Sequence, residues 1–254
     1  MDALLQLDDV TMRFGGLTAV NALSMEVAMG AIHGLIGPNG SGKSTAFNVV
    51  AGVCVPTAGR VFYRGQEITG LKPHKVARRG IARTFQATDV FPDLTVWQNL
   101  VAASELRAET GFWATLFAAP RYRRKQDAMI ESVESAIAML RLGHARDFVV
   151  RGLPHRDQKA VALANALATG ADLLMLDEPA AGLTAREAEE LLGTFWRLRD
   201  AGKTLLIVEH NMRAVMGVCD RITVLNHGLK IAEGTPRQIA SDAGVIEAYL
   251  GKPY

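Results

Sequence analysis

Gly37-Pro38-Asn39-Gly40-Ser41-Gly42-Lys43-Ser44-Thr45 fits the pattern G-x-x-x-x-G-K-[ST] at every position. Such a loop turns backbone N–H groups onto a polyphosphate, and its glycines permit the turns a Cβ would forbid. Lys43 has the reach and charge for the outer phosphates of a nucleoside triphosphate, and the Ser44 hydroxyl is a hard oxygen ligand for Mg2+. The apolar run Ala31–Ile36 reads as a buried strand before the loop, and Ala46–Val50 as helix after it. A second chemical element comes far downstream. Leu173–Leu176 is a fully apolar run that ends on Asp177 and Glu178. A buried strand ending in two acids delivers them to the carboxyl edge of a sheet, where open α/β sheets bind ligands. Asp177 suits magnesium through water, and Glu178 suits polarising a water beside the γ-phosphate.

Three further residues have weaker chemical signals. His210 follows the apolar run Thr204–Val208 and Glu209, so it stands at the carboxyl end of another strand, within reach of a γ-phosphate. Gln86, after Arg83-Thr84-Phe85, carries an amide suited to a magnesium shell. Phe14 either stacks on an adenine base or faces the core as an ordinary strand residue.

The elements that must position these groups are legible from periodicity. Leu4–Phe14 and Ala22–Val27 alternate and predict an antiparallel pair, and Arg60–Arg64 predicts another short strand. Between Gln86 and about Gly152 the texture becomes helical. Met129, Val133, Ala136, Ile137 and Leu140 make one apolar helical face that stops at Gly143. Ahead of it the basic cluster Arg121, Arg123, Arg124 and Lys125 reads either as a solvated helix start or as a docking patch. Leu173–Leu176 and Thr204–Val208, apolar without alternation, have the look of parallel strands covered on both faces. Thr184 and Glu187 form a capping box that opens a helix with Ala188, Leu191, Leu192 and Phe195 inward. Asn226-His227-Gly228 signals a hairpin between Arg221–Leu225 and Leu229–Glu233. The expected fold is α/β, with a core of residues 1–85 and 153–254 and a helical subdomain at about 86–152.

Composition sets outer bounds. The 254 residues suffice for one large domain or two small ones, and 28 Lys+Arg against 26 Asp+Glu leave a net charge of +2, too little to suggest nucleic acid. Cys54 and Cys219 have no metal-ligand spacing and read as small buried hydrophobes of a reducing compartment. Ala160–Leu176, the most apolar stretch, is interrupted by Asn165, Gly170 and Asp172 and is too broken to span a bilayer. The expectation is a cytoplasmic chain that meets a membrane only through a partner.

Taken together these segments resemble the ATP-binding subunits of ABC transporters over nearly the whole chain, and most of all those of branched-chain amino-acid importers. Arg13-Phe14-Gly15-Gly16-Leu17, Arg83-Thr84-Phe85-Gln86, Leu176-Asp177-Glu178-Pro179-Ala180-Ala181-Gly182-Leu183, Glu233-Gly234-Thr235-Pro236 and Ala248-Tyr249-Leu250-Gly251 carry the resemblance. It implies a P-loop NTPase core of the ABC ATPase type, with an antiparallel β subdomain and a helical insertion. It further implies a homo- or heterodimer of ATPase subunits under membrane permease subunits, on the inner face of the cell membrane. Two ATP molecules with Mg2+ would be sandwiched between the subunits, and a periplasmic binding protein would deliver the substrate. By that resemblance Phe14 is the base-stacking aromatic, Gln86 the coupling glutamine, Glu178 the catalytic carboxylate and His210 the switch histidine.

The family's signature, of Leu-Ser-Gly-Gly-Gln type, grips the γ-phosphate held by the other subunit. Here its place holds Leu153, Pro154, His155, Arg156 and Asp157. Pro154 removes a hydroxyl and a backbone donor, and Arg156 stands where the second glycine is expected. Asp157 either brings a negative charge towards a phosphate or is an ordinary cap or first-turn residue of a helix. Two readings follow: a weakened signature beside an intact phosphate loop, or an arginine that supplies a cation where glycine donors would act. Two other functions compete with transport, a catalytically silent regulatory subunit and a soluble DNA-repair or chromosome ATPase. The second would need coiled-coil or zinc-bearing insertions, and neither heptads nor cysteine clusters are present.

Overall fold

The computed structural model describes residues 3–84, 90–105, 120–209 and 212–250, without the side chains at 120–125, 213, 214 and 250. Gln86 and His210 lie outside the described residues, as do the side chains of the basic cluster Arg121–Lys125. Two compact units emerge, one of residues 1–83 and 172–254 and the other of residues 84–171.

The first unit is built on two sheets. β1 (Ala3–Phe14) and β2 (Leu17–Ala28) pair antiparallel, β1 pairs antiparallel with β4 (Ala58–Tyr63), and β4 with the short β5 (Gln66–Glu67). This is the antiparallel layer the alternation of Leu4–Phe14 predicts. The second sheet has the order β10-β9-β3-β8-β7-β6, from β3 (Ile32–Ile36), β6 (Ile81–Thr84), β7 (Leu173–Asp177), β8 (Thr204–Val208), β9 (Arg221–Asn226) and β10 (Leu229–Gly234). β3 runs parallel to both β8 and β9, and β7 parallel to β8. Every residue of β3 and β8 is buried. Strands covered on both faces need no polar alternate residues, which is why these runs are mainly apolar; the exceptions, His33 and Thr204, are buried, and His33 has Thr223 Oγ1 at 2.8 Å. The β9–β10 hairpin turns on His227 and Gly228, both at positive φ, 46° and 79°. That pairing of conformations matches the twist of the flanking strands.

The core of this unit gathers Leu5, Leu7, Val10 and Leu23 of the antiparallel layer with Leu35, Phe47, Met175, Leu206 and Val208. Cys54 packs against this cluster half-buried, and Cys219 is buried with its thiol pushed up to about 12 by desolvation. α6 (Ala185–Asp200) opens on the expected capping box, with Thr184 Oγ1 accepting from the Glu187 N–H. Its buried face differs from the expected one: Phe195 is buried with Thr194 and Leu198, whereas Leu191 and Leu192 are only half-covered.

The second unit packs α3 (Val96–Glu105), α4 (Pro120–Met139) and α5 (His155–Ala168) on one another. Val133, Ala136, Ile137 and Leu140 are buried, as their spacing requires. The helix ends earlier than Gly143: Arg141 takes the left-handed conformation, φ 56°, and the Leu142 N–H returns to the Ile137 carbonyl. A C-terminal turn closed by backbone bonds can tolerate a non-glycine residue there at some cost in strain. α5 falls in this compact unit, whereas the sequence boundary near residue 152 assigns it to the core. Among the described residues no helix is long and apolar enough to cross a membrane.

Candidate functional site

The phosphate loop leaves β3 at Gly37 and enters α1 (Lys43–Val50). A side chain at Gly37 would run into the Leu225 carbonyl oxygen, and one at Gly42, where φ is 102°, into that of Ala19. Glycine is required there by neighbouring backbone as much as by the turn. The loop is also tied to the β9–β10 turn: the Gly228 N–H donates to the Ser41 carbonyl at 3.0 Å, and the Gly228 carbonyl accepts from the Asn21 N–H at 2.9 Å. Nothing in the nine-residue motif announces that brace.

Lys43 and Ser44 occupy the first turn of α1. Lys43 is buried, and its ammonium donates to the carbonyls of Gly37 and Pro38, each at 2.8 Å, with Ser41 Oγ at 3.4 Å. Burial lowers its pKa, against the raising pull of the nearby Glu178 and Asp177 carboxylates. The lysine of the loop therefore lies near enough to Asp177, at the end of β7, and to Glu178 after it for their charges to act on it. Ser44, Asn39 and Gly40 are exposed, Pro38, Gly42 and Thr45 half-buried, and Ser41 buried. Exposed backbone at a helix N-terminus is a ready anion site. A cavity of about 490 Å³ adjoins the loop, lined by Pro38, Asn39, Ser41, Asn226, His227 and Glu247.

Asp177 closes β7 and is half-buried. Arg83, on β6, donates through Nη2 to Asp177 Oδ2 at 3.1 Å and through Nη1 to Asn48 Oδ1 at 2.6 Å. Glu178 follows in the left-handed region at φ 46°, with its N–H donating to the Val208 carbonyl at 2.9 Å. A non-glycine residue held there stores strain, a recurrent property of functional turns. Glu209, only 3% exposed, accepts from the Ala180 N–H at 2.9 Å. Phe14 ends β1 at 49% exposure, so its core-facing alternative is set aside. Sequence reasoning missed Arg83 as a partner of Asp177 and Glu209 as a partner of the turn. The only available signals were a charged residue in the short run before Gln86 and an acid directly after an apolar strand.

In the second unit, Pro154 is the N-cap of α5, with extended ψ and no side-chain cap bond. Leu153 is half-buried, His155 and Arg156 are exposed, and Asp157 lies in the first helical turn. His144 Nε2 is 3.3 Å from Asp157 Oδ2, and His144 Nδ1 is 3.2 Å from the Arg141 carbonyl. Asp157 is thus an acid in a helical first turn with a local partner.

The model for "ABC transporter" matches residues 20–181, and that for "Branched-chain amino acid ATP-binding cassette transporter" matches residues 230–254. The chain belongs to the ABC transporter family. It is an ATP-binding cassette and an ATPase of that family. It is 40% identical over 253 residues to the high-affinity branched-chain amino acid transport ATP-binding protein BraF of Pseudomonas aeruginosa, with 98% of each chain covered. It is 40% identical over 250 residues to the corresponding LivG of Escherichia coli K12, again with 98% of each covered. Among solved structures, the ADP conformation of an ATP-binding cassette of an ABC transporter matches at TM-score 0.86 and 31% identity, covering 99% of this chain and 100% of that one. The two sheets and the helical unit are accordingly those of an ABC cassette.

Proposed function

We propose that this cassette powers an importer of branched-chain or related amino acids. The observation that carries the site reading is the placement of Lys43, which is bonded to loop carbonyls and electrostatically coupled to Asp177 and Glu178. The relatives named above support the choice of cargo.

Phe14, exposed at the end of β1, would stack on the adenine. Loop N–H groups from Asn39 to Thr45 and the α1 N-terminus would cradle the phosphates, with Lys43 turning from its carbonyls to the outer phosphates. Ser44 and Asp177 offer a hydroxyl and a carboxylate, a small set of hard oxygen donors that fits Mg2+ shared with phosphate and water. Gln86 would complete that set. When bound, the ion neutralises charge on the phosphate oxygens. Glu178, fixed by the strained turn, would hold the attacking water in line with the γ-phosphate, and His210 would hydrogen-bond that phosphate. Positioning and preorganised charge supply the acceleration.

The productive assembly would be a dimer of ATPase subunits under membrane permease subunits at the inner face of the membrane, fed by a periplasmic binding protein, without nucleic acid. Each nucleotide would lie between one subunit's phosphate loop and the other's Leu153–Asp157 segment. The helical unit would touch the permease near Gln86.

The test is ATP hydrolysis by wild type and Glu178→Gln with permease and partner ATPase present. A loss of at least about 100-fold, the scale on which general-base groups act, supports the reading. Equal rates would mean that this subunit's own site does not turn over. The departure at Pro154 and Arg156 bears on the nucleotide held by the partner's phosphate loop; it speaks for the alternative of a catalytically weakened or regulatory nucleotide-binding subunit, and the retained Glu178 and His210 speak against it.

A further inference from the structure

We propose that Arg83 is a positioning residue that fixes the Asp177 carboxylate relative to the helix bearing Lys43 and Ser44, and so sets the protein's affinity for the metal of the metal–nucleotide complex. The inference rests on the reading of Asp177 as a magnesium ligand.

The guanidinium sits at the meeting of three elements. It comes from β6, reaches Asp177 at the end of β7, and is held from α1 by the Asn48 amide oxygen. Its carbon lies 5.7 Å from the centroid of the Phe47 ring, which is itself fully buried in α1. Both members of the ion pair are largely withdrawn from water, with side-chain exposures of 10% for Arg83 and 14% for Asp177. Such a pair is geometrically exacting, because partly desolvated charges must keep their bonds.

Arginine suits this place because its planar fork sends two N–H groups in fixed directions, one to each partner. Lysine would put a single ammonium where two separated acceptors must be reached. The contact engages one carboxylate oxygen, Oδ2, and so restricts the rotation of the carboxylate. Since Asn48 and Ser44 ride on one helix, the Asn48–Arg83–Asp177 chain links the two donors proposed for the metal. Partners that orient a metal-ligating carboxylate typically control affinity by about 10- to 100-fold.

The test uses the full-length chain loaded with a fluorescent ATP analogue in chelator and then titrated with Mg2+. In Arg83→Met the Mg2+ concentration at half-effect should rise by about 10- to 100-fold. Binding of the analogue in chelator should stay within about twofold, because Lys43 and the loop are untouched. Arg83→Lys should give an intermediate rise. A general structural defect would weaken binding equally with and without Mg2+, and that result would overturn the inference, as would an unchanged Mg2+ half-point in Arg83→Met. If Arg83→Met fails to fold, Asn48→Ala decides, since it removes one anchor and keeps the ion pair. A raised Mg2+ half-point there supports the inference, and an unchanged one overturns it. Wild type that bound no analogue in either condition would overturn the site reading itself, and this inference with it.

Discussion

The Glu209 carboxylate accepts a hydrogen bond from the Ala180 N–H at 2.9 Å, while the carbonyl just before it, Val208, accepts from the Glu178 N–H at the same distance. The end of β8 thereby grips the turn after β7 on both sides of Glu178, whose φ of 46° needs such restraint. Glu209→Ala should release that turn. A buried hydrogen bond to a charged group contributes about 1.5–3 kcal/mol, so ATP hydrolysis in the assembled transporter should fall by roughly 10- to 100-fold. Nucleotide binding, measured on the isolated chain, should change by less than about twofold, because the phosphate loop is separate. Glu209→Gln keeps an acceptor oxygen and should retain most of the rate. Equal rates in wild type and the alanine variant would show that Glu178 needs no such grip.

Which features were legible in the sequence follows from how local their causes are. The phosphate loop, the Thr184–Glu187 capping box and the His227-Gly228 turn are set by residues within a few positions, so the residue types announce them. The covered strands β3, β7 and β8 are legible because burial on both faces leaves few polar residues in them. By contrast Arg83 and Asp177 are 94 residues apart, and no spacing rule joins a guanidinium on one strand to a carboxylate on another. The brace from Gly228 to Ser41 is hidden for the same reason. Helix α4 ends at a non-glycine left-handed residue, Arg141, where the sequence offers Gly143 as the more obvious stop. The His144 partner of Asp157 lies 13 residues away, outside the signature segment, so the family pattern does not announce it.

His33 gives the fold a dependence on pH. It lies on β3, buried, with Nε2 2.8 Å from Thr223 Oγ1. Desolvation lowers its pKa from 6.5 to about 4, assisted by Arg221 and Lys230 and opposed by Glu233. The unfolded chain takes up a proton at this residue near pH 6.5, whereas the folded chain does so only near pH 4, so its contribution to stability declines as pH falls between those values. The loss should total roughly 3 kcal/mol. Urea unfolding of wild type and His33→Gln from pH 7.5 to 4 measures it. Removing the imidazole should flatten the slope by that amount, and parallel slopes would contradict the burial argument.

Gly228 tests whether the hairpin supports the phosphate loop. At φ 79° an added Cβ would lie 2.9 Å from the Ala19 carbonyl oxygen, so Gly228→Ala must shift the turn. That turn donates to the Ser41 carbonyl, hence the displacement should reach the loop. Stability should drop by about 1–3 kcal/mol, the usual cost of a side chain in a sparsely allowed conformation. ATP affinity should weaken by roughly fivefold or more, an effect on the order of 1 kcal/mol. Isothermal titration of folded protein separates the two effects. An unchanged affinity in a destabilised protein would restrict the turn to a structural role.

Arg156 decides how the departure at the signature is to be understood. It is exposed in the first turn of α5, after an N-cap, Pro154, that has no side-chain hydroxyl to offer. A glycine there would let the backbone N–H groups approach a facing phosphate more closely and would free the space of a long side chain. Asp157 already has His144 beside it at 3.3 Å, so the negative charge at this helix start has a local partner. If the segment meets the partner subunit's nucleotide as a weakened signature, Arg156→Gly should raise ATPase activity of the assembled transporter several-fold, on the order of 1 kcal/mol of barrier. Arg156→Lys should leave the rate near that of wild type, since it keeps the bulk and the charge. A clear loss in Arg156→Gly, accompanied by a loss in Arg156→Lys, would instead assign the guanidinium to the phosphate as a cation whose fork geometry matters.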